Sequence, residues 1–188
     1  VLEAFRKVKR EDFVPEDLRE SAYVNEPLSI GADQTISQPL TVIAMTEALD
    51  GKKGQKILEV GTGSGYQAAL LAELVGKNGR VITTERIERL AEFARSNLER
   101  AGYKNVEVIH CDGTEGYEKL APYDRIIVTA NAPDVPTPLI EQLKLYGKMV
   151  IPIREELYLI EKQKKGIKKT MLGNYIFVPL IGKYGWKR

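Results

Sequence analysis

The sequence predicts an α/β fold with a doubly wound, mostly parallel sheet, helices on both faces, an N-terminal helical appendage and C-terminal antiparallel strands. Short apolar runs alternate with longer amphipathic segments through the middle of the chain. A glycine-rich turn joins the first of these runs to an Ala/Leu-rich segment, and acidic residues follow the ends of successive runs. Strands that alternate with helices in this way form parallel sheets with right-handed crossovers.

The central alternation begins at Lys56 and gives most of the predicted elements. In the second helix, apolar residues recur at helical spacing and form one face that can pack on a sheet. We expect strands over 56–60, 80–85, 105–110, 123–129 and 148–153, with helices over 66–75, over 87–101 and from about 136.

The flanking segments are less regular. Residues 2–8 predict a helix, and Pro15 is expected to start a short second one, since proline in the first turn loses no hydrogen bond. Residues 22–39 show neither the helical nor the strand periodicity of apolar residues, which predicts a long irregular segment. Ser37 is expected close to the N-cap of a helix over 40–49. After residue 153 we expect antiparallel strands around 157–160 and 175–179, separated by a lysine-rich turn.

Composition limits the class of protein. The 188 residues suit a single domain, with residues 1–50 as N-terminal helices and substrate loop, 51–153 as cofactor-binding core and 154–188 as C-terminal strands. Lys+Arg 28 against Asp+Glu 26 gives a net charge of +2, so no nucleic-acid partner is expected. One cysteine, Cys111, and no membrane-length apolar run predict a cytoplasmic protein that binds no membrane. We also expect a monomer without a metal.

The glycine turn follows a buried strand that carries an acid. Gly61, Gly63 and Gly65 are spaced G-x-G-x-G, whereas a dinucleotide fingerprint reads G-x-G-x-x-G. Glycines let a ligand approach the backbone, and Glu59 just before them would repel a pyrophosphate but suit a cationic group. The second strand ends in Glu85, at the position that holds ribose hydroxyls in related folds. These features predict a nucleoside site with a cationic component.

Three chain segments are expected to meet at this site. Glu59, Glu85 and Asp112 each lie at the carboxyl end of a predicted strand, where ligands bind in open α/β sheets. The pattern E-x-G-x-G-x-G with an acid-ended second strand resembles the S-adenosylmethionine site of Rossmann-like methyltransferases. The resemblance implies that the methionine and ribose parts of S-adenosylmethionine lie beside the glycine turn. It also implies that Glu85 binds the ribose and that Asp112 accepts a hydrogen bond from the adenine amino group. The implied cofactor-binding residues are Glu59, Gly61, Thr62, Gly63, Ser64, Gly65, Glu85, Arg86, Asp112 and Gly113.

A longer resemblance covers about residues 13–185. A-Y-x-N-x-P-L-x-I-G, Q-T-I-S-Q-P, I-L-E-V-G-T-G-S-G-Y-Q-A-A, P-Y-D-R-I-I-V-T-A and F-V-P-L-I-G-x-Y-G occur in order. Together they resemble the protein-L-isoaspartate O-methyltransferases, and Q-T-I-S-Q-P is the most specific piece. The resemblance implies methyl transfer from S-adenosylmethionine to the free carboxylate of L-isoaspartyl residues in damaged proteins and peptides, with S-adenosylhomocysteine as product. It implies that Ser37, with Thr35, positions that carboxylate.

The apparent lack of a general base agrees with this chemistry, because a carboxylate is already ionised at neutral pH. His110 is expected to cap a strand end, and Cys111 to be a buried small thiol. Two departures from the family pattern concern the substrate loop: Asp33 replaces a usual glycine, and Asn25 stands where aspartate is common. Asp33 would repel a substrate carboxylate if it pointed inward and would have no effect if it pointed outward. Asn131, where a small residue is more usual, is either a substrate contact or a turn former.

Three rival functions remain open at this point. A tRNA adenine methyltransferase shares the fold but should show a basic face, which the charge of +2 does not favour. A non-catalytic S-adenosylmethionine-binding scaffold is the second rival, because Asp33 could disable the substrate site. An NAD dehydrogenase is a distant third, since the glycine spacing and Glu59 fit it poorly.

Overall fold

The computed structural model of the protein describes residues 1–187. Its helices and strands alternate through the centre of the chain, as the sequence predicts. The helices are α1 (Leu2–Lys7), α2 (Pro39–Leu49), α3 (Tyr66–Val75), α4 (Glu88–Arg100) and α5 (Thr137–Gln142), and the strands are β1 (Leu28–Gly31), β2 (Gln34–Ile36), β3 (Lys56–Val60), β4 (Arg80–Glu85), β5 (Val106–His110), β6 (Tyr123–Val128), β7 (Leu143–Ile153), β8 (Glu156–Lys162) and β9 (Ile167–Asn174).

A seven-stranded sheet in the order β5-β4-β3-β6-β7-β8-β9 organises these elements. The five strands from β5 to β7 in this order are parallel to one another. Strand β8 pairs with β7 in the antiparallel sense, and β9 pairs with β8 in the same way. The order reverses next to β3, so β4 and β6 flank it on either side. The predicted fold class is confirmed, and the glycine turn after β3 lies at the point where ligands bind in such sheets.

The sheet separates two hydrophobic cores. Successive residues of β3 point to opposite faces, so Ile57 belongs to one core and Leu58 to the other. Helix α3 contributes Leu70 to the first core, and helix α5 contributes Leu139 to the second. All four side chains are fully buried. Helices therefore cover both faces, and the loops at the carboxyl edge of the sheet are left to form a site.

Residues 22–39 are more ordered than the sequence indicates. β1 and β2 pair as an antiparallel hairpin with Leu28 opposite Ile36, so the prediction of a wholly irregular segment is wrong. Ala32 and Asp33 form its two-residue turn at φ values of 54° and 56°, the left-handed region that such turns require. Strands this short, with an Ala-Asp turn in place of Asn-Gly, leave no periodic signal.

Other boundaries differ from expectation at the two ends. The second helix predicted from Pro15 is a 3-10 helix, Glu16–Ser21, and a further 3-10 helix that was not predicted, Arg10–Phe13, precedes it. The last strand is β9 (Ile167–Asn174) rather than 175–179, because its exposed, lysine-bearing face carries no apolar alternation. Residues 175–178 instead belong to no helix or strand, and we name them, together with Asn174, the 174–178 strap. Within residues 1–187, no helix combines the length and apolarity needed to cross a bilayer.

Candidate active site

The loops at the carboxyl ends of β3, β4 and β6 enclose a small inner cavity of about 70 Å³. The β1–β2 hairpin and the start of α2 close it from above, with the Ile30 side chain packed against Gly63. Residues predicted from the sequence to form the site make up much of its wall. They are Thr35, Ser37, Glu59, Gly61, Thr62, Gly63, Ser64 and Glu85.

The glycine turn adopts a backbone that other residues reach only with strain. Gly61 has a φ of 97°, and a Cβ at this position would collide with Oγ1 of Thr129 at the end of β6. The same Oγ1 donates a hydrogen bond to the Gly61 carbonyl oxygen over 2.7 Å. Gly61 therefore lets the turn pack against β6 while its backbone faces the cavity.

We expect Gly61→Ala to lower the free energy of unfolding by roughly 1–3 kcal/mol, through left-handed strain and the collision with Thr129. It should also abolish S-adenosylhomocysteine binding in calorimetry. Gly54→Ala is the matched control, because Gly54 has a φ of 79° but open space around its Cβ position. If both variants lose equal stability and both bind the ligand normally, the close packing at Gly61 has no role.

Glu59 is fully buried in the floor of the inner cavity. Its Oε2 accepts a hydrogen bond of 2.6 Å from Thr83 Oγ1, which in turn accepts one from Thr62 Oγ1 over 2.7 Å. Its Oε1 has no hydrogen-bond partner among residues 1–187. Burial, with a smaller contribution from the nearby Glu85, raises the pKa of Glu59 to about 8, and the hydrogen bond from the Thr83 hydroxyl opposes this rise. A buried acceptor without a donor fits an ammonium group such as the one on the methionine part of S-adenosylmethionine.

Glu85 organises the backbone around the cavity. Its two oxygens accept hydrogen bonds of 3.0 Å from the amides of Gly63 and Ile87. The carboxylate thereby ties the glycine turn to the start of α4. Since a carboxylate offers about four acceptor positions, it can still accept from ribose hydroxyls.

The other predicted cofactor residues lie near this edge but do not line the inner cavity. The Asp112 carboxylate accepts hydrogen bonds from the amide of Thr114 (2.9 Å) and the amide of Lys183 (2.7 Å). Asp112 thus anchors the C-terminal segment in this structure, and its role toward adenine stays a prediction, as do those of Arg86 and Gly113. Gly65 precedes α3 as its N-cap residue.

His110 and Cys111, the two residues before Asp112, lie outside the inner cavity. His110 is exposed, and its Nε2 lies 3.2 Å from the Arg86 carbonyl oxygen. Cys111 is half-buried rather than fully buried, and burial raises the pKa of its thiol. Within residues 1–187, no cluster of three or more His, Cys, Asp or Glu side chains could hold a metal ion.

Ser37 and Thr35 lie between the inner cavity and a second, larger space. We name this second space the outer cleft; its volume is about 640 Å³. Of the residues that the structure describes, four line both spaces: Thr35, Ser37, Thr129 and Val178. All five residues of the 174–178 strap line the outer cleft. Thr129 was missed by the sequence analysis, although its place at the end of a central strand could have indicated it.

The loop departures have clear positions. Asp33 is exposed in the hairpin turn and lines neither space, so it does not oppose a carboxylate there. Asn25 caps α2: its Oδ1 accepts a 3.0 Å hydrogen bond from the Leu40 amide. Ser37 lies close to the N-cap of α2, as expected: the helix begins at Pro39, and its N-cap residue is Gln38. The Ser37 hydroxyl is not committed to capping the helix.

Asn25→Ala should lower the free energy of unfolding by about 1 kcal/mol, because the start of α2 loses its cap. It should also lower kcat/KM severalfold, since Ser37 lies two residues before the helix. Asn25→Asp keeps the acceptor and is expected to restore both values. Equal kinetics and equal urea midpoints for the alanine variant and the unsubstituted protein would contradict this role.

The fold and the site define a Rossmann-like methyltransferase, and comparisons with known proteins identify the family. The sequence profile of the protein-L-isoaspartate(D-aspartate) O-methyltransferases matches residues 1–185. A protein-L-isoaspartate O-methyltransferase of Methanopyrus kandleri is 58% identical over 193 residues, covering 100% of this chain and 85% of that protein. Protein-L-isoaspartate O-methyltransferase 1 of Archaeoglobus fulgidus is 55% identical over 190 residues, covering 100% and 88%. The chain belongs to this family.

Solved structures agree with this assignment. A protein-L-isoaspartate O-methyltransferase structure superposes with a TM-score of 0.89 at 29% identity; the match covers 97% of this chain and 61% of the other. A Plasmodium falciparum protein described as a beta-aspartate methyltransferase, solved in complex with S-adenosyl-L-homocysteine, gives 0.85 at 29% identity, covering 95% and 88%.

Proposed function

We propose that the protein transfers a methyl group from S-adenosylmethionine to the free carboxylate of L-isoaspartyl residues in damaged proteins and peptides. One observation supports this most strongly: Ser37 and Thr35 line both the inner cavity, which holds Glu59, and the outer cleft. A donor beside the glycine turn and a peptide in the outer cleft would meet at these hydroxyls.

When bound, S-adenosylmethionine supplies a methyl group activated by its sulfonium sulfur. One oxygen of the substrate carboxylate attacks the methyl carbon, a C–O bond forms, the C–S bond breaks and S-adenosylhomocysteine leaves. No proton has to be removed, because the carboxylate has a pKa near 4. The methyl ester then loses methanol to form a succinimide, whose hydrolysis regenerates some aspartate.

The chain's own residues bind and orient the reactants. The hydroxyls of Ser37 and Thr35 donate hydrogen bonds to the substrate carboxylate, which holds its reacting oxygen in line with the methyl group. The free Oε1 of Glu59 accepts from the ammonium group of the donor. Val42, Met45 and Val178 are apolar parts of the inner wall and keep water from the transferring methyl group.

The decisive experiment compares an isoaspartyl peptide with its aspartyl twin, with labelled S-adenosylmethionine as donor. We expect label transfer and methanol release with the isoaspartyl peptide alone. Transfer to tRNA in place of the peptide would support the adenine methyltransferase. Calorimetric binding of S-adenosylhomocysteine without any turnover would support the scaffold.

Several further properties stay predictions. These are a single methyltransferase domain over 1–188, a monomer, a cytoplasmic location, and the absence of nucleic-acid and membrane partners. Light scattering on the purified protein checks the monomer directly.

A further inference from the structure

A third space of about 930 Å³ is lined in part by residues 174–176 of the 174–178 strap, and Ser37 does not line it. We name it the flanking cavity. Asn174, Tyr175 and Ile176 line both the flanking cavity and the outer cleft, so the two spaces adjoin along these three residues. The rest of its wall consists of Asn131, Arg154, Glu155, Glu156 and Trp186. A polypeptide lying in the outer cleft can continue into it across the strap.

Two large apolar side chains on the wall of the flanking cavity are exposed to solvent. Ile176 is 95% exposed, and Trp186 is 38% exposed. The strap is held at its base by the Tyr175 amide, which donates a 2.9 Å hydrogen bond to the Glu155 carbonyl oxygen. Trp186 is held by its indole N–H, which donates to the Asn131 carbonyl oxygen over 2.9 Å. Aromatic and aliphatic side chains around a space of this size are typical of a ligand site, and the indole of Trp186 is oriented by its hydrogen bond.

Asn131 adds an unused polar group to this wall. Its backbone is fully engaged, since its amide donates to Val178 and its carbonyl oxygen accepts from Leu180 and Trp186. Its side-chain Oδ1, in contrast, is buried without a hydrogen-bond partner among residues 1–187. A buried acceptor without a donor is destabilising. Because the amide torsion of asparagine is soft, a small rotation would present the amide to a donor in the cavity.

We propose that the flanking cavity is a subsite for a large apolar or aromatic side chain near the isoaspartyl residue of the substrate, with the Asn131 amide binding the peptide backbone. This inference rests on the proposed function. The peptide crosses the strap over Ile176 and places the flanking side chain against Tyr175 and Trp186. The subsite thus selects among damaged sites by their neighbouring sequence.

The kinetic test uses isoaspartyl heptapeptides with alanine at all other positions, and a single phenylalanine moved from position to position. We expect one position to lower KM by roughly tenfold, as burial of an aromatic side chain implies. In the variants Asn131→Ala and Ile176→Ser, the ratio of the KM of the all-alanine peptide to that of the phenylalanine peptide should fall toward one. Ile167→Ser is the matched control: Ile167 lies on exposed β9, lines neither space and should keep the preference.

A binding test uses Trp186, the only tryptophan in the sequence, as a probe. With S-adenosylhomocysteine present, the phenylalanine peptide should shift the Trp186 emission, and the all-alanine peptide should not. Asn131→Ala should melt at the same or a higher temperature, which separates lost selectivity from lost folding.

The subsite is overturned if phenylalanine has no effect at any position, or if Asn131→Ala and Ile176→Ser both keep the full preference. A normal turnover of the all-alanine isoaspartyl peptide in that case leaves the proposed function intact. If no isoaspartyl peptide is methylated, the proposed function fails instead, and the emission shift still reports on the cavity.

Discussion

Glu59→Gln should bind S-adenosylhomocysteine roughly 10- to 100-fold more weakly than the unsubstituted protein, the loss expected for one hydrogen bond to a charged group. The substitution keeps the shape of the side chain and an acceptor for Thr83, but it removes the charge that Oε1 offers to an ammonium group. Titration calorimetry measures the change. Glu107→Gln, the same exchange on the partly exposed strand β5, is the control and should bind normally.

The pH dependence gives a second measurement on the same variant. Because the pKa of Glu59 is raised to about 8, the folded protein holds a proton that the unfolded chain releases near its ordinary value of 4.5. This contribution to stability is present below about pH 4.5 and is lost progressively as the pH rises to about 8. Glu59→Gln should lack that loss and melt at a higher temperature at pH 8. Ligand affinity should rise with pH up to about 8 in the unsubstituted protein and stay flat in the variant; parallel profiles would contradict the assignment.

Ser37→Ala should lower kcat/KM for an isoaspartyl peptide by roughly 10- to 100-fold, because one hydrogen bond to the substrate carboxylate is lost. Affinity for S-adenosylhomocysteine should change little, since Glu59 and the glycine turn are untouched. Steady-state kinetics and calorimetry together separate these two effects.

Ser29→Ala is the matched control for this variant. Ser29 lies on β1 of the same hairpin and lines neither the inner cavity nor the outer cleft. Its loss should leave kcat/KM within about twofold, as is usual for a surface substitution. If Ser37→Ala changes kcat/KM as little as Ser29→Ala does, residues other than Ser37 bind the substrate carboxylate.

The sequence predicts well wherever a local pattern determines the structure. The apolar run of β3, three alternating glycines and the Ala/Leu-rich start of α3 follow one another directly, so strand, turn and helix were all foreseeable. The convergence of Glu59 and Glu85 followed from the parallel sheet, and the structure places both on the wall of one cavity.

Contacts between distant residues could not be predicted in this way. The cap of α2 joins Asn25 to Leu40, and the bonds to Asp112 reach Lys183, much farther along the chain. No local pattern reports such pairings. The last strand was predicted at 175–179 instead of at β9 for a different reason. Both the polar and the apolar residues of β9 are exposed, so buried and exposed positions do not alternate along this strand.

The hairpin over the glycine turn has a consequence for the order of events. The inner cavity of about 70 Å³ is smaller than the roughly 300–1,000 Å³ of a typical ligand pocket, so we expect the hairpin to move outward when a nucleoside binds. Ser37 directly follows that hairpin, so lifting it also disturbs the serine that receives the peptide. We therefore expect compulsory-order kinetics, with the methyl donor loading first and its spent form departing last. Product-inhibition patterns reveal such a sequence.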